Sequence, residues 1–254
     1  MKTENHNSIQ RTYWDSVASK NKVITDCKLA FPAIRERDLF FKFAAFKKGD
    51  TILEIGCGTG KYTIGLLRMG CKVCATDISG ESLRVLKKTA EEEGFDKNLT
   101  LEETAFDDTE SCRRFFDKFD YVLFVAVIHH LDPEKRPTIF KNVVNSVKRG
   151  GTVVALEPNA FNPLYYCMYF WRALARVKAE RWHTEKGLLG TTMPSLKTEF
   201  KNWGLKNIRT ARYAWLPSKF AGNCPAVFGI NDTLNRIPIL KEMSAFIWIR
   251  GDRC

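Results

Sequence analysis

The stretch Leu53-Glu54-Ile55-Gly56-Cys57-Gly58-Thr59-Gly60 sets a carboxylate two residues before the first of three alternate glycines. Glycine has no Cβ, so the backbone can turn sharply and a ligand can approach it closely. Placed between an apolar run and a helical pattern, this is the turn of a cofactor site. The spacing narrows the ligand. A dinucleotide turn, G-x-G-x-x-G, needs glycine where Lys61 stands. A phosphate loop, G-x-x-x-x-G-K-[ST], needs glycine at Ile55 and Ser or Thr at Tyr62. Glu54 fits neither motif and suits a cation nearby.

Three further places carry residues of the right type. Asp77 follows Val73-Cys74-Ala75-Thr76, about twenty residues after the glycines, the interval of a ribose-binding acid. Its carboxylate can accept two hydroxyl hydrogens, with Ile78 beside it. Thr104-Ala105-Phe106-Asp107 offers apolar faces to an adenine ring through Ala105 and Phe106, and an acceptor for its amino edge at Asp107. Val125 to Asp132 contains His129 and His130, and neutral histidine serves as a general base near pH 7. The adjacent pair lacks further ligands, so no metal is expected. Glu157, at the end of another apolar run, is a third candidate base.

Elements that place these residues can be read from periodicity. Apolar runs at Thr51–Ile55, Lys72–Thr76, Leu99–Thr104, Asp120–Ile128 and Thr152–Leu156 read as strands, and the fourth is nearly continuous in apolar residues, as a buried parallel strand should be. Helical patterns lie between them, at Lys61–Met69, Ser79–Glu93, Glu110–Asp117 and Pro133–Lys148. This alternation predicts a doubly wound, mainly parallel α/β sheet, whose ligands bind beyond the carboxyl ends of the strands. Two helical patterns precede it, Ser8–Ser19 with Tyr13 and Trp14, and Arg35–Phe46. After Glu157 the pattern changes. Phe161–Val177 is dense in aromatic residues, Ser195–Trp203 reads as a helix, and Leu205–Tyr213 and Phe246–Ile249 read as two more strands.

At 254 residues with 44% hydrophobic content, the chain has material for one large core or a core with a cap. No run of eighteen apolar residues appears, and Met1–Asn7 has no hydrophobic signal core, so a cytoplasmic location is the expectation. Eight cysteines are read as reduced thiols, because a chain of this size does not need disulfides. Cys71 and Cys74 have C-x-x-C spacing, but residues three apart in a strand point to opposite faces. The net charge of +11 is uneven, with +2 over residues 1–159 and +9 over 160–254. Such a field suits an anionic small molecule, a nucleic acid or an acidic membrane surface, and equally a solvated basic face.

Taken together, Leu53–Gly60, Asp77, Phe119-Asp120-Tyr121-Val122, His129-His130-Leu131 and Lys148-Arg149-Gly150-Gly151 resemble the class I S-adenosylmethionine (SAM)-dependent methyltransferases. The resemblance spans about Phe46 to Asn159, a little under half the chain. It implies a Rossmann-like, seven-stranded sheet with an N-terminal helical lid at residues 1–48, a cofactor-binding core at 49–159, an inserted cap at 160–194 after the fifth strand, and a C-terminal part at 195–254 that completes the sheet. It implies SAM as cofactor. Gly56, Cys57, Gly58, Thr59 and Gly60 would form the turn, Glu54 would orient it or meet the ammonium group, and Asp77 would hold the ribose. Ile78, Ala105, Phe106 and Val125 would flank the nucleoside, with Tyr13 and Trp14 in the lid. Many relatives place an acid directly at the third strand end, where Thr104-Ala105 stand here.

SAM carries an already activated methyl group, so what the protein adds is alignment and, for a hydroxyl acceptor, a base. His130, His129 and Glu157 are the candidates, in that order. Glu157-Pro158-Asn159 followed by Asn162-Pro163-Leu164 resembles methyltransferases of small molecules, lipids or sugars. The first expectation is an O-methyltransferase with a lipid-like, sugar or aromatic hydroxyl acceptor, with peripheral membrane contact through Phe161–Trp171 open. A tRNA-modifying enzyme is the second reading, since Ala126–His130 also resembles some wobble-base enzymes. A non-catalytic SAM-binding partner subunit is the third. No oligomeric state is read from the sequence.

Overall fold

The computed structural model describes residues 6–19, 31–174, 186–216 and 226–254. Seven strands form one sheet: β1 (Thr51–Ile55), β2 (Lys72–Asp77), β3 (Leu99–Glu103), β4 (Phe119–Val125), β5 (Val147–Pro158), β6 (Lys206–Tyr213) and β7 (Phe246–Asp252). Their order is β3-β2-β1-β4-β5-β7-β6. The first five pair in parallel, and β7 runs antiparallel to both β5 and β6. The strand order reverses between β1 and β4, so their carboxyl ends diverge and leave a crevice.

Alternation along the strands splits the core between the two faces. Leu53, Val122, Phe124, Val153 and Ile249 pack with Phe140 and Val143 of α6 (Arg136–Ser146) and with Leu196 and Phe200 of α8 (Met193–Asn202). Ile52, Val73, Leu123 and Val154 face the other way. They meet Phe40 and Phe41 of α2 (Phe31–Ala44), Leu66 of α3 (Lys61–Arg68) and Leu86 of α4 (Gly80–Glu92). Strands covered on both faces can be apolar at nearly every position, which is why β4 reads so plainly. β3 is an edge strand and half-exposed, which is why it reads weakly.

Several boundaries differ from expectation, and three of them bear on the site. β4 stops at Val125, not Ile128, because Ala126 turns to φ +55° and residues 128–130 form a single 3₁₀ turn. α6 stops at Ser146, because Val147 joins β5 opposite Phe119. The fifth strand therefore starts five residues before Thr152. Asp120 anchors the amino ends of the parallel strands: its carboxylate accepts from the Thr51 N–H at 2.8 Å and from Lys148 Nζ at 2.8 Å.

Outside the sheet, α1 (His6–Ala18) lies against α4. α5 (Thr109–Cys112) follows β3, and α7 (Pro163–Leu174) follows β5. α9 (Ala226–Leu234) and α10 (Pro238–Glu242) precede β7. No helix among the described residues is long and apolar enough to cross a membrane.

Candidate functional site

A cavity of about 310 Å³ opens where β1 and β4 part. A larger groove, between α6 and α8, lies on the outer surface and touches none of the strand ends. The chemistry is in the first. Its floor is Glu54, Gly56, Cys57 and Gly58 from the β1 turn, with Asp77 and Ile78 from the end of β2. Ala105 closes one side, Val125 and His130 another. Gln10 and Trp14 reach in from α1. The structure thus brings together Glu54, Gly56, Cys57, Gly58, Asp77, Ile78, Ala105, Val125, His130 and Trp14 around one volume.

The glycine turn is held by backbone and by Asp77. The N–H groups of Gly56 and Cys57 both donate to the Thr76 carbonyl, at 2.8 and 3.0 Å. Asp77 Oδ2 accepts from the Gly58 N–H at 2.8 Å, and Oδ1 from the Ser79 N–H at 2.9 Å. Burial pushes the Asp77 carboxyl up, against three backbone hydrogen bonds that pull it down, and the net direction is upward. The individual glycines differ in purpose. A Cβ on Gly56 would stand 2.5 Å from Val127 Cγ2, so close packing excludes it. A Cβ on Gly58, at φ +53°, would meet nothing within 4 Å and would project into open space at the cavity. Gly60 is different: it lies off the cavity at φ +93°, and a Cβ would sit 2.3 Å from Leu86 Cδ1. It serves the packing of α3 on α4, and neither it nor Thr59 lines the cavity.

Glu54 is 1% exposed, and Thr63 Oγ1 of α3 donates to its Oε2 at 2.6 Å. Burial is the main cause that lifts its carboxyl to about 8, with the Asp77 charge adding to it. The Cys57 thiol is pushed well up by burial, then by the charges of Asp77 and Glu54, so it stays a neutral thiol. Cys57, Cys71, Cys74, Cys112, Cys167 and Cys254 are all free.

Besides Thr59 and Gly60, four more expected site residues, Phe106, Tyr13, His129 and Glu157, are off the cavity wall. Phe106 is fully buried, stacked on Phe115 with ring centroids 5.2 Å apart, because φ of +60° turns its side chain into the core. Ala105 alone reaches the cavity from that pair. Tyr13 packs edge-on against Trp14 at 5.0 Å and is not on the wall. Glu157 is completely buried. Its Oε1 accepts from the Val127 and Ile128 N–H groups, both at 2.8 Å, and its Oε2 lies 2.7 Å from His129 Nδ1. Burial raises the Glu157 carboxyl, but the hydrogen bond and charge of His129 and the two N–H donors outweigh it and hold it below the usual range. An ionised Glu157 makes His129 Nδ1 the donor. Both residues therefore stand behind the wall and fix the turn that presents His130. Neither lines the cavity.

The N-terminal helix contributes what the sequence did not announce. His6 Nε2 donates to the His130 carbonyl at 2.8 Å, and Asn7 Nδ2 to Asp107 Oδ2 at 2.7 Å. Arg11 Nε donates to the Ile78 carbonyl at 2.9 Å, and Ser79 Oγ to Asp15 Oδ1 at 2.6 Å. Asp107, expected near adenine, is instead shared by Asn7 and by Lys135 Nζ at 2.6 Å. Each α1 contact pairs residues more than sixty positions apart, and no local pattern carries such a signal. Lys61 and Tyr62 also reach the wall, and both contact the buried carboxylate Glu36, at 3.4 and 3.2 Å.

Carboxylates beneath a glycine turn, a strand-end acid, an apolar slot and a reversed strand order define a nucleoside-cofactor site of the class I methyltransferase type. Comparison with known proteins agrees. Residues 52–151 match a family of methyltransferase domains. The chain therefore carries a class I SAM-dependent methyltransferase domain, with SAM as its cofactor. Among curated relatives, an uncharacterized methyltransferase of Staphylococcus carnosus is 28% identical over 48% of this chain and 56% of its own length. The demethylmenaquinone methyltransferase of Bacillus subtilis is 28% identical over 68% of this chain and 78% of that one. The mitochondrial ubiquinone biosynthesis O-methyltransferase of Schizosaccharomyces pombe is 23% identical over 95% and 86%. The chain spans about half the length of the first of these, and a third of the Haemophilus influenzae relatives it matches. Among solved structures, the geranyl diphosphate C-methyltransferase of Streptomyces coelicolor superimposes with a TM-score of 0.61 at 12% identity, covering 100% of this chain and 99% of that one. A SAM-dependent methyltransferase of Archaeoglobus fulgidus gives 0.59 at 14%, covering 87% and 94%.

The donor set fits the cofactor. SAM has an amino-acid end, a sulfonium and an adenosine, and no phosphate. Glu54 would face the ammonium group and Lys61 the carboxylate. Asp77 would accept from the ribose diol, and Ile78 and Ala105 would flank the base. Gly58, with no side chain, leaves the backbone open beside them.

Proposed function

We propose that the protein transfers a methyl group from SAM to the hydroxyl of a small molecule with an apolar or sugar portion, and that His130 takes the hydroxyl proton. The observation that carries this reading is the position of His130. It lies on the wall of the same cavity as Glu54 and Asp77, on a turn fixed from behind by Glu157 and His129. Trp14 meets its ring edge-on at 5.4 Å, and His6 holds its carbonyl. The bound cofactor supplies a methyl group on a positively charged sulfur, which keeps the bonding pair as the methyl leaves. The chain's part is to hold the acceptor in line, a contribution of up to roughly 7–11 kcal/mol, and to receive one proton, worth about 10²–10⁴-fold in rate. The small-molecule acceptor is supported by the quinone-pathway names of two relatives and by the apolar walls at Val125, Val127 and Leu131.

The test is a screen of acceptors read out as S-adenosylhomocysteine release, followed by His130→Ala on the acceptor found. Loss of turnover by about 10²–10⁴-fold, with cofactor affinity unchanged, supports the assignment. Full turnover in His130→Ala overturns it, and methylation of RNA alone overturns the small-molecule reading.

A further inference from the structure

Eight large apolar side chains stand exposed among the described residues, and seven of them fall between Phe161 and Ile239. They belong to the segment that carries +9 of the net charge. On α7, Tyr166 and Phe170 are 47% and 65% exposed and four residues apart, so they share the outer helix face. Tyr165 turns inward, and its hydroxyl donates to the Ala245 carbonyl at 3.1 Å. Phe161, just before the helix, is 51% exposed. On α10, Ile237 is 44% and Ile239 76% exposed, between the exposed cations Arg236 and Lys241. The one acid of this short helix, Glu242, is engaged by Arg212.

The two helices are one platform. Asn159 Nδ2 donates to the Glu242 and Ser244 carbonyls, both at 2.8 Å. Asn162 Nδ2 donates to the Met243 carbonyl at 2.8 Å and to Trp215 at 2.9 Å. These amides clamp the start of α7 to the end of α10, so their apolar tips move together. Behind them, the 3₁₀ turn Lys186–Gly190 presses against the active-site turn: a Cβ on Gly187 would stand 1.8 Å from the His129 carbonyl oxygen. Its next residue but one, Leu189, is 48% exposed.

We propose that this face, α7 with α10, docks on the anionic surface of a lipid bilayer. A protein partner wants a continuous complementary patch. Here Ile237 and Ile239 stand between the exposed Arg236 and Lys241, with the exposed rings of α7 nearby, the arrangement that inserts rings and branched chains at the headgroup level while Lys and Arg meet lipid phosphates. The positive charge of Arg236 and Lys241 is complementary to such a surface. The proposal goes beyond the catalytic reading and does not depend on it, because vesicle binding requires neither cofactor nor turnover.

The experiment is flotation of the full chain with vesicles of phosphatidylcholine alone and of phosphatidylcholine with an equal part of phosphatidylglycerol. Binding is expected only to the second. Arg236→Gln and Lys241→Gln should each weaken it roughly fivefold, and added salt should weaken it further. Ile237→Ser with Ile239→Ser, both at exposed positions, should weaken it at unchanged thermal midpoint. Equal binding to neutral vesicles, or no loss in the isoleucine variant, overturns the proposal. So does a sedimentation-velocity dimer that Ile239→Ser dissociates, which would assign the face to a second copy. Binding to RNA without binding to vesicles overturns it as well.

Discussion

Glu54 is the residue whose protonation the cavity controls most directly. Its carboxyl is held at about 8 by burial, so at neutral pH the ligand-free protein keeps it protonated. A cationic ammonium beside it favours the carboxylate, and cofactor binding then expels a proton. Affinity should rise with pH from the usual carboxylate range up to about 8 and level off above it. Calorimetry at neutral pH in two buffers of different ionisation heat should show the released proton, and Glu54→Gln should show none. The same shift bears on stability in the opposite direction. A raised carboxyl stabilises the fold below its unfolded value, and that contribution is lost as pH rises through about 8. Asp77, the proposed ribose acceptor, also ties Gly58 to the end of β2. Asp77→Asn should weaken SAM binding by about 10–100-fold, the size of a charge-assisted hydrogen bond, measured by calorimetry.

At the scale of elements, the turn after β4 is the point of interest. It leaves the strand at Ala126, with φ +55° in a non-glycine residue, and closes at His130. Backbone in that region is sparsely populated and is kept only where surroundings impose it. Glu157 supplies the restraint from β5, with two N–H groups and one imidazole on a single carboxylate. Glu157→Gln should lower stability by roughly 1–3 kcal/mol, read as a shift in thermal midpoint, whereas His130→Ala should leave the midpoint unchanged. The depressed carboxyl gives the sign of the pH effect: its contribution is present above the unfolded carboxylate range and is lost as pH falls through the folded value. A sequence reader sees three acid–base residues near one another and cannot rank them. Packing separates them, by burying two and setting the third on the cavity wall.

For the molecule as a whole, β7 is the keystone of the C-terminal half. It lies antiparallel between β5 and β6, so β6 reaches the sheet only through it. Arg253 closes the end of this arrangement, exchanging backbone hydrogen bonds with Gly150 and Gly151 at 2.8 and 2.9 Å. Removing residues 246–254 should leave β6 unpaired and uncover Val153, Ala155 and Ile249's neighbours in the core. We expect loss of a cooperative thermal transition and rapid proteolysis within 193–213. A truncated chain that melts cooperatively at the full-length midpoint would contradict this.

The parallel core was legible because periodicity and turn chemistry are local. Apolar runs of strand length, Gly56 and Gly58 after β1, and Asp77 after β2 needed only a few neighbours each to be interpreted, and the cofactor followed from the family that these motifs together resemble. Side-chain direction at strand ends was not legible, because it depends on φ at single residues. Phe106 at +60° faces the core while Ala105, one residue earlier, faces the cavity. Nor were contacts across the chain legible: His6 with His130, Asn7 with Asp107 and Glu157 with His129 become neighbours only when the sheet has formed. The sequence by itself determined the sheet, the class of cofactor through its resemblance to a family, and most of the residues that line the cavity. Only the tertiary structure decided which histidine lines the cavity and which is buried behind it, because burial and long-range hydrogen bonding are properties of the packed chain.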